Sequence, residues 1–405
     1  MISLNLNKIC RFMLILLAFT IPVSTAATYV VLGLFLLFWI LDNFKNPLKE
    51  LTIIIKYNPV AMAGCIFFLI HLAGLLYTHT NQEKVLESIQ NGGKFLFIAM
   101  SMIYLKKEKN ARAVLISFIS AMGFVLVLSY LIRMEMVPGF IPVKGNPLDC
   151  YVFHDHIKHN TFMAFTVFVA AVLARSAKTF RARILWAGFS FLSLVNVLFM
   201  VGGRTGHLII LVLLVYYFFS WSSRNSLVVF FILCICIGLF LWCYPSNPLL
   251  KRARITVNEI KAWNYGEPVS RPSSIGLRLE FYTNSLKLIK KSPFIGTGTG
   301  SFQTAYSDLV KGTRFNQSDN PHNDYLMVGV QFGLVGILIL LWFFITQWWR
   351  AGFFQKNEST LLGRGLVLTI MTSCMVASPL QDSAEGWFFA LMSAALFVSP
   401  IRPFD

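Results

Sequence analysis

The stretch "SDNPHNDYLMVGVQFGLVGILILLWFF", residues 318–344, joins a polar cluster directly to a long apolar run. His322 lies within the polar cluster, and no charged residue follows Asp324 until Arg350. A helix of about 20 apolar residues crosses the hydrocarbon core of a bilayer. The stretch therefore predicts a transmembrane helix that has a histidine at its mouth.

The composition of the whole chain indicates the same class of protein. Of its 405 residues, 56% are hydrophobic and 13% are charged, and the mean hydropathy is +0.65. A soluble domain carries about 25% charged residues, so we expect a polytopic membrane protein. The net charge of +17 is explained by basic residues that anchor cytoplasmic loops. The chain shows no nucleic-acid-binding motif, and we expect no nucleic-acid partner.

The chain contains about twelve apolar runs of membrane-spanning length. They fall at residues 10–25, 27–42, 58–78, 87–105, 112–132, 160–175, 183–201, 205–221, 226–244, 322–347, 361–379 and 384–400. We therefore predict an all-α polytopic membrane protein with about twelve transmembrane helices. Its predicted divisions are a transmembrane bundle at 1–244, a large, partly helical loop at 245–320 and C-terminal transmembrane helices at 321–405.

The positions of Lys and Arg predict the orientation of the bundle. With a cytoplasmic N-terminus, the cytoplasmic segments hold eighteen Lys and Arg residues, and the short external loops and helix mouths hold six. Basic residues favour the cytoplasmic side of a membrane. We therefore expect both termini to be cytoplasmic and the 245–320 loop to be external.

The 245–320 loop is basic, with eleven Lys or Arg residues and five acidic residues. Long loops translocate largely regardless of charge, and an external cationic surface suits a phosphate or diphosphate. Residues 273–291 have the spacing of an amphipathic helix. Its predicted apolar stripe consists of Ile275, Leu279, Tyr282, Leu286 and Ile289. "GTGTGSF" at 296–302 lacks the Lys-Ser/Thr pair of a nucleotide-binding loop, and we predict a glycine turn there.

Two arginines are candidates for binding an anion. Arg204 follows two glycines at the predicted mouth of a helix, and Arg278 lies on the predicted loop helix. A guanidinium group can hold two phosphate oxygens at once. Taken alone, Arg204 also fits a snorkelling anchor, and Arg278 also fits a solvated surface residue.

The stretch "FHDHIKHN", residues 153–160, holds three histidines around Lys158. Three histidines can bind a metal ion, but no acidic cluster accompanies them and Lys158 would repel a cation. We therefore expect no metal. The alternatives are hydrogen bonding to a ligand and an interfacial polar loop. Lys158 and His159 are candidates for substrate binding.

His322 is the candidate general base. Asn320 is a good N-cap and Pro321 suits the first position of a helix, so we predict His322 in the first helical turn. The positive helix end favours the neutral imidazole that a base needs. Asp319 and Asp324 favour the charged form, so the direction of the pKa shift stays open. His322 also fits a capping or interfacial role.

His322-Asn323, nine residues and then Gly333-Leu334-Val335-Gly336 resemble the signature of the O-antigen ligase and polymerase superfamily. That signature is His-Asn/Ser, nine residues, Gly-x-x-Gly. "RTG" at 204–206, "GLRLEFY" at 276–282 and the large loop ahead of the motif fit the same family. We expect the two glycines of Gly-x-x-Gly to give a thin helix face for close packing.

The resemblance implies a membrane glycosyltransferase of the C type (GT-C) that needs no metal or cofactor. Its donor would be O-antigen polysaccharide on undecaprenyl diphosphate. Its acceptor would be lipid A–core oligosaccharide, so that the reaction completes lipopolysaccharide. The enzyme would lie among the lipids of a Gram-negative inner membrane, with its active site on the periplasmic face. We expect a monomer.

The resemblance also suggests roles for individual residues. Arg204 and Arg278 would bind and neutralise the diphosphate. His322 would take the proton from the acceptor hydroxyl in one inverting step, or alternatively donate a hydrogen bond to the diphosphate. One of the next two residues would orient the imidazole. The substrate-binding candidates are Lys158, His159, Asn323, Asp324, Lys287 and Arg314.

Other functions stay open at this point. An O-antigen polymerase and a protein O-oligosaccharyltransferase share the motif and differ in the acceptor. A lipid or glycan transporter would show charged residues at mid-membrane and paired repeats, and the chain shows neither pattern. Gln381, Asp382 and Glu385, in the last external loop, are candidates for contacting the acceptor.

Overall fold

The computed structural model describes residues 5–44, 48–220, 248–263, 273–353 and 357–398. All regular secondary structure in these residues is helical. The α-helices are α1 Leu6–Thr20, α2 Thr25–Asp42, α3 Lys49–Tyr57, α4 Pro59–Ala73, α5 Gln82–Leu105, α6 Glu108–Arg133, α7 His156–Ser176, α8 Phe180–Val195, α9 Arg204–Phe219, α10 Pro248–Lys261, α11 Ser274–Lys291, α12 Phe302–Val310, α13 Asp324–Gly352, α14 Asn357–Val376 and α15 Ser383–Phe397. A 3₁₀ turn, Gly74–Leu76, extends α4, and a π-helical turn, Asn196–Met200, extends α8.

The helices follow the predicted apolar runs. All of the runs coincide with helices except 226–244, which lies outside the described residues. Within the described residues, 7 helices are long and apolar enough to cross a membrane, and α9 and α15 are shorter apolar helices. The protein is therefore an all-helical membrane protein with several spans.

Local sequence signals set several helix starts. The side chain of Asn58 accepts hydrogen bonds from Val60 and Ala61, and Pro59 occupies the first position of α4. Asp155 caps α7 and Asp382 caps α15 in the same way. A side-chain oxygen at this position satisfies amide groups that have no partner within the helix. These caps place Asp155 and Asp382 at the starts of α7 and α15, where both carboxylates contact Lys158.

The core of the bundle is aromatic and centres on α15. Phe388 packs against Phe118 and Phe162, with ring centroids 4.9 and 5.1 Å apart, and Phe389 packs against Phe343 at 5.8 Å. Edge-to-face and tilted contacts of this kind stabilise a core beyond simple area burial. Outer helices expose large apolar side chains, such as Leu185 at 73%, that a bilayer would cover. The core therefore fixes the ends of α7, α13 and α15 relative to one another.

The predicted loop helix is confirmed as α11. Ser273 caps it, accepting a hydrogen bond from Gly276, and the helix ends at Lys291. Its predicted apolar stripe is wrong in part, because Leu286 is 45% exposed while Glu280 is buried. Glu280 accepts hydrogen bonds from the main chain and side chain of Asn316, so this face of α11 holds the loop after α12.

A break in α13 replaces the thin packing face that we predicted at Gly333. Gly333 has φ 60° and ψ −154°, and a Cβ there would overlap the main chain of Phe294. The amides of Leu334 and Val335 donate to the carbonyls of Pro293 and Phe294, at 2.8 and 3.2 Å. The break frees these amides from the helix, and a neighbouring segment satisfies them. The prediction was wrong because the glycine admits the main chain of Phe294 and Ile295, in a turn, rather than a second helix.

The same segment continues into the predicted glycine turn, which is confirmed. Gly296, Gly298 and Gly300 all have positive φ. The amides of Thr297 and Gly298 donate to the carbonyls of Val330 and Gln331, at 2.9 and 2.8 Å. The glycine turn therefore pairs with α13 just ahead of its break and ties the loop helices to the bundle.

Candidate active site

His322 precedes α13 rather than lying in its first turn. The helix starts at Asp324, and the side chain of Asn323 caps it by accepting a hydrogen bond from Leu326 at 3.0 Å. His322 has a left-handed backbone, with φ 54°. The predicted position was wrong because Asn320 and Asn323 are both good caps, and the structure uses the second one.

The main chain of His322 makes hydrogen bonds through both its amide and its carbonyl, whereas its ring makes a stacking contact. Its amide donates to Oδ1 of Asn320 at 2.7 Å, and its carbonyl accepts from the hydroxyl of Tyr282 at 3.2 Å. The imidazole stacks on Phe281 with ring centroids 6.4 Å apart. Among the described residues, no hydrogen bond reaches its ring nitrogens. Both nitrogens are therefore available to a ligand.

The surroundings of His322 favour a neutral imidazole. Burial lowers its pKa below the ordinary 6.5, the charge of Arg278 lowers it further, and Asp319 opposes the shift. Desolvation and a neighbouring cation both disfavour a charged ring. The sequence left open whether the pKa of His322 is raised or lowered. In the structure this pKa is lowered, and Arg278 is the dominant neighbouring charge.

Arg278 lies in the second turn of α11 and has no hydrogen-bond or ion-pair partner in the described part of the chain. Burial lowers its pKa from 12.5, the charge of Tyr282 opposes this shift, and the charge of Arg204 adds to it. Arg204 is the first residue of α9, and its Nη1 lies 3.1 Å from Oε2 of Glu259. Arg278 thus lies within electrostatic range of both Arg204 and His322, and we call these three residues the cationic cluster.

Neither residue that follows His322 orients its ring. The amide nitrogen of the Asn323 side chain donates to the carbonyl of Met375 at 2.9 Å. Asp324 is buried, and its Oδ2 accepts from the amide of Leu380 at 2.9 Å. Both side chains are used to join α13 to the end of α14 and the loop that follows it. The predicted orienting role was therefore wrong.

Lys158 and His159 lie in a second polar group. Nζ of Lys158 is 3.0 Å from Asp155 and 2.8 Å from Asp382. His159 is buried, and its Nε2 lies 2.9 Å from Oδ1 of Asn196. In the described residues, no group of three or more His, Cys, Asp or Glu residues is arranged to hold a metal ion. Of the three histidines of this region, His154 and His159 hydrogen-bond within the protein.

Lys287 lies on the opposite side of α11 from Arg278, and Arg314 lies in a loop. Lys287 follows Arg278 by nine residues, which is about half a turn out of phase at roughly 100° per residue. Its Nζ lies 4.8 Å from the ring centre of Phe315 and 3.0 Å from Oδ1 of Asn284. Arg314 is exposed in the loop after α12. The structure therefore brings Arg278 within electrostatic range of both Arg204 and His322, and the predicted substrate binding by Lys287 and Arg314 stays a prediction.

Comparison with known families finds a match over the part of the chain that holds the cationic cluster. Residues 188–341 match the family model described as O-antigen ligase. That range contains Arg204, Arg278 and His322.

The chain contains an O-antigen ligase family domain at residues 188–341.

A relative from Haemophilus influenzae is 29% identical over 142 residues. The match covers 34% of this chain and 34% of the relative, so the chain spans about a third of the relative's length. The relative is described as an uncharacterized protein and gives no function. The superfamily assignment therefore rests on the family model.

Sequence reasoning missed residues that hold the backbone of His322 and the neighbouring 377–382 loop in place. Lys94 is 4% exposed, and its Nζ donates to the carbonyls of Leu380 and Asp382 at 3.2 and 2.7 Å. It therefore shapes the 377–382 loop between α14 and α15. A lysine within the apolar run 87–105 was the available signal, because a charge inside a span seldom lacks a role. Tyr282 and Ser378 gave no such signal.

Chemically, the cationic cluster can bind an anion and accept a proton at one place. Two guanidinium groups present many N–H donors, and one of these groups has no partner in the described residues. A neutral imidazole beside them offers one unprotonated nitrogen as a base. This combination suits transfer of a group away from a phosphate leaving group.

Proposed function

We propose that this protein is an O-antigen ligase of the GT-C type. It would transfer O-antigen polysaccharide from undecaprenyl diphosphate to lipid A–core oligosaccharide, inverting the anomeric carbon and using no metal. The observation that carries the proposal is the cationic cluster, in which Arg278 lies within electrostatic range of both the imidazole of His322 and Arg204, inside the region that matches the O-antigen ligase family model.

The two arginines would bind the diphosphate of the donor. Arg278 has no protein partner among the described residues, and Arg204 makes a single ion pair through Nη1. Each therefore keeps N–H donors for phosphate oxygens, which a guanidinium can hold in a bidentate manner. Negative charge grows on the diphosphate as the glycosidic bond breaks. Fixed positive charge at that position stabilises the transition state more than the ground state.

His322 would act as the general base. Its unprotonated ring nitrogen takes the proton of the acceptor hydroxyl while the hydroxyl oxygen bonds to the anomeric carbon. The bond from that carbon to the diphosphate oxygen breaks in the same step, and its electron pair leaves with undecaprenyl diphosphate. The lowered pKa of His322 supports this role, because the neutral form is the one that accepts a proton.

The membrane placement is part of the proposal. About twelve helices would form the bundle, with both termini in the cytoplasm and the cationic cluster at the periplasmic face of a Gram-negative inner membrane. The distribution of Lys and Arg along the chain supports this orientation. The donor lipid would enter from the bilayer, and the protein would work as a monomer.

Glycan transfer by the purified protein tests the proposal. Wild type, His322→Ala and Arg278→Ala would receive a lipid-diphosphate O-antigen donor and a lipid A–core acceptor, with a chelator and without nucleotide. His79→Ala is the matched control, because His79 is exposed in the loop between α4 and α5. Wild type and His79→Ala are expected to form capped lipopolysaccharide, and the other two variants are expected to form none.

Other products would point to other functions. Lengthening of the lipid-linked glycan with a bare acceptor would identify a polymerase. Transfer to an added acceptor protein and not to lipid A–core would identify a protein O-oligosaccharyltransferase. Donor binding by wild type without any transfer would contradict a transferase and favour a transporter.

A further inference from the structure

His322 is held in a strained backbone conformation. His322 and Glu135 are the non-glycine residues with positive φ in the described part of the chain. A side chain in this region clashes with its own main chain, so the conformation persists only where the surroundings impose it. The strain at His322 therefore points to neighbours that hold it.

Asn320 imposes the conformation from one side. Its Oδ1 accepts hydrogen bonds from the amide of His322 and from the hydroxyl of Ser378, both at 2.7 Å. Ser378 belongs to the 377–382 loop, which is anchored by Lys94 and by Asp324. Asn320 thus joins the backbone of His322 to a loop that is itself fixed to the bundle.

Tyr282 imposes the conformation from the other side. Its hydroxyl lies 3.2 Å from the carbonyl of His322 and 3.0 Å from the carbonyl of Met375, at the end of α14. Tyr282 follows Arg278 by four residues, so the two side chains lie on the same face of α11. One helix therefore carries both the arginine and the hydroxyl that holds the histidine backbone.

We propose that Asn320, Ser378 and Tyr282 are positioning residues that lock His322 in its left-handed conformation and fix the imidazole relative to Arg278. The inference rests on the proposed function, because it assigns these residues to the same transfer reaction. None of the three has to touch the substrate. Together they keep the proton acceptor and the anion-binding arginine in one geometry, and small errors in such geometry reduce rates strongly.

Tyr282→Phe tests the inference with a minimal change, because it removes one hydroxyl and keeps the ring. Tyr325→Phe is the matched control, since the hydroxyl of Tyr325 donates to the carbonyl of Met371, one turn earlier in α14, at 3.2 Å. We expect Tyr282→Phe to lower kcat about 10- to 100-fold and to change the donor KM less than about twofold. Tyr325→Phe is expected to keep kcat near wild type.

Asn320 supplies a second, independent pair of variants. Asn320→Ala removes the acceptor for both hydrogen bonds, whereas Asn320→Asp keeps an oxygen at the same place. We expect Asn320→Ala to lose kcat as Tyr282→Phe does, and Asn320→Asp to recover most of it. Thermal midpoints of all variants, measured in detergent, distinguish a loss of positioning from a loss of stability. We expect Tyr282→Phe and Asn320→Ala to lose kcat while their midpoints stay close to that of Tyr325→Phe.

The outcomes distinguish this inference from the proposed function. Wild-type kcat in both Tyr282→Phe and Asn320→Ala would overturn the positioning role while His322→Ala stays inactive. Loss of kcat in step with a fall in the thermal midpoint, in Tyr325→Phe as well, would show a purely structural role and also overturn it. Full transfer by His322→Ala would instead remove the proposed function on which the inference rests.

Discussion

Two polar clusters of this protein use the same kinds of residues in opposite ways. In the cationic cluster, Arg278 and the ring of His322 have no hydrogen-bond partner among the described residues, and Arg204 makes a single ion pair. In the second, which we call the paired cluster, Lys158 contacts Asp155 and Asp382. Lys94 completes the paired cluster by donating to several carbonyl and amide oxygens.

The difference in pairing suggests that the cationic cluster binds a ligand and that the paired cluster stabilises the fold. A buried or half-buried charge is costly without a partner, so a structural charge is expected to be paired. The paired cluster meets that expectation and joins the start of α7 to the start of α15. The cationic cluster departs from it, and an incoming anion would supply the missing partner. Substitutions in the two clusters should therefore affect different quantities.

Among the variants that compare the two clusters, the largest expected effect is on transfer by Arg278→Gln. Removing a fixed charge from a site that stabilises a leaving anion lowers the rate by about 10²- to 10³-fold. The thermal midpoint should stay near wild type, because no described residue pairs with Arg278. The control is Arg254→Gln, on the exposed surface of α10. Equal transfer by the two variants would remove the contrast between the clusters.

A change in the paired cluster should act on stability instead. Lys158→Met leaves the carboxylates of Asp155 and Asp382 without their partner, and we expect a loss of about 1–2 kcal/mol in the free energy of unfolding. The expected signature is a thermal midpoint lower by a few degrees, with more than about half of the transfer per folded molecule retained. The double variant Lys158→Met/Asp382→Asn should be less destabilised than the sum of the single variants. Loss of donor binding at an unchanged midpoint would make Lys158 a substrate ligand.

The pH dependence of transfer tests whether the charge of Arg278 acts on His322. A base must be neutral, so kcat/KM should fall as the pH falls through the pKa of His322, which lies below 6.5. In Arg278→Gln the neighbouring cation is absent, and the acidic limb of the remaining activity should move to higher pH. An acidic limb that stays in place would show that Arg278 does not act on His322.

The smallest expected effect concerns Glu259. Its carboxylate pairs with Arg204 where a phosphate oxygen would compete for the same guanidinium. Glu259→Gln should lower the donor KM by up to about fivefold, because partly exposed ion pairs contribute at most about 1 kcal/mol. A higher donor KM in this variant would show instead that Glu259 orients Arg204 for binding.

Much of the fold could be predicted from the sequence because apolar length and helix caps are local signals. Each predicted run that lies within the described residues coincides with a helix, and α11 begins close to the predicted residue 273. The break at Gly333 could not be predicted in this way. The partners that stabilise it, Pro293 and Phe294, come from a segment about forty residues earlier in the chain.

The site shows the same division between local and distant signals. Taken singly, Arg204, Arg278 and His322 each had an ordinary explanation, and only the family resemblance selected them together. The backbone of His322 was misplaced because Asn320 resembles a helix cap. Its side chain instead bonds to Ser378, which is 58 residues away in the chain. The roles of Asn320 and Tyr282 depend on such distant contacts, which spacing in the sequence does not reveal.

Single-turnover transfer by His322→Gln at saturating donor tests whether His322 is the proton acceptor of the reaction. The glutamine keeps a hydrogen-bonding side chain but cannot accept a proton as a base. With labelled donor, chelator and purified acceptor, we expect donor binding near that of wild type and no transferred glycan. Transfer at the wild-type rate by this variant would contradict the role of His322 as general base, because the cationic cluster would then lack its proton acceptor and still catalyse the reaction.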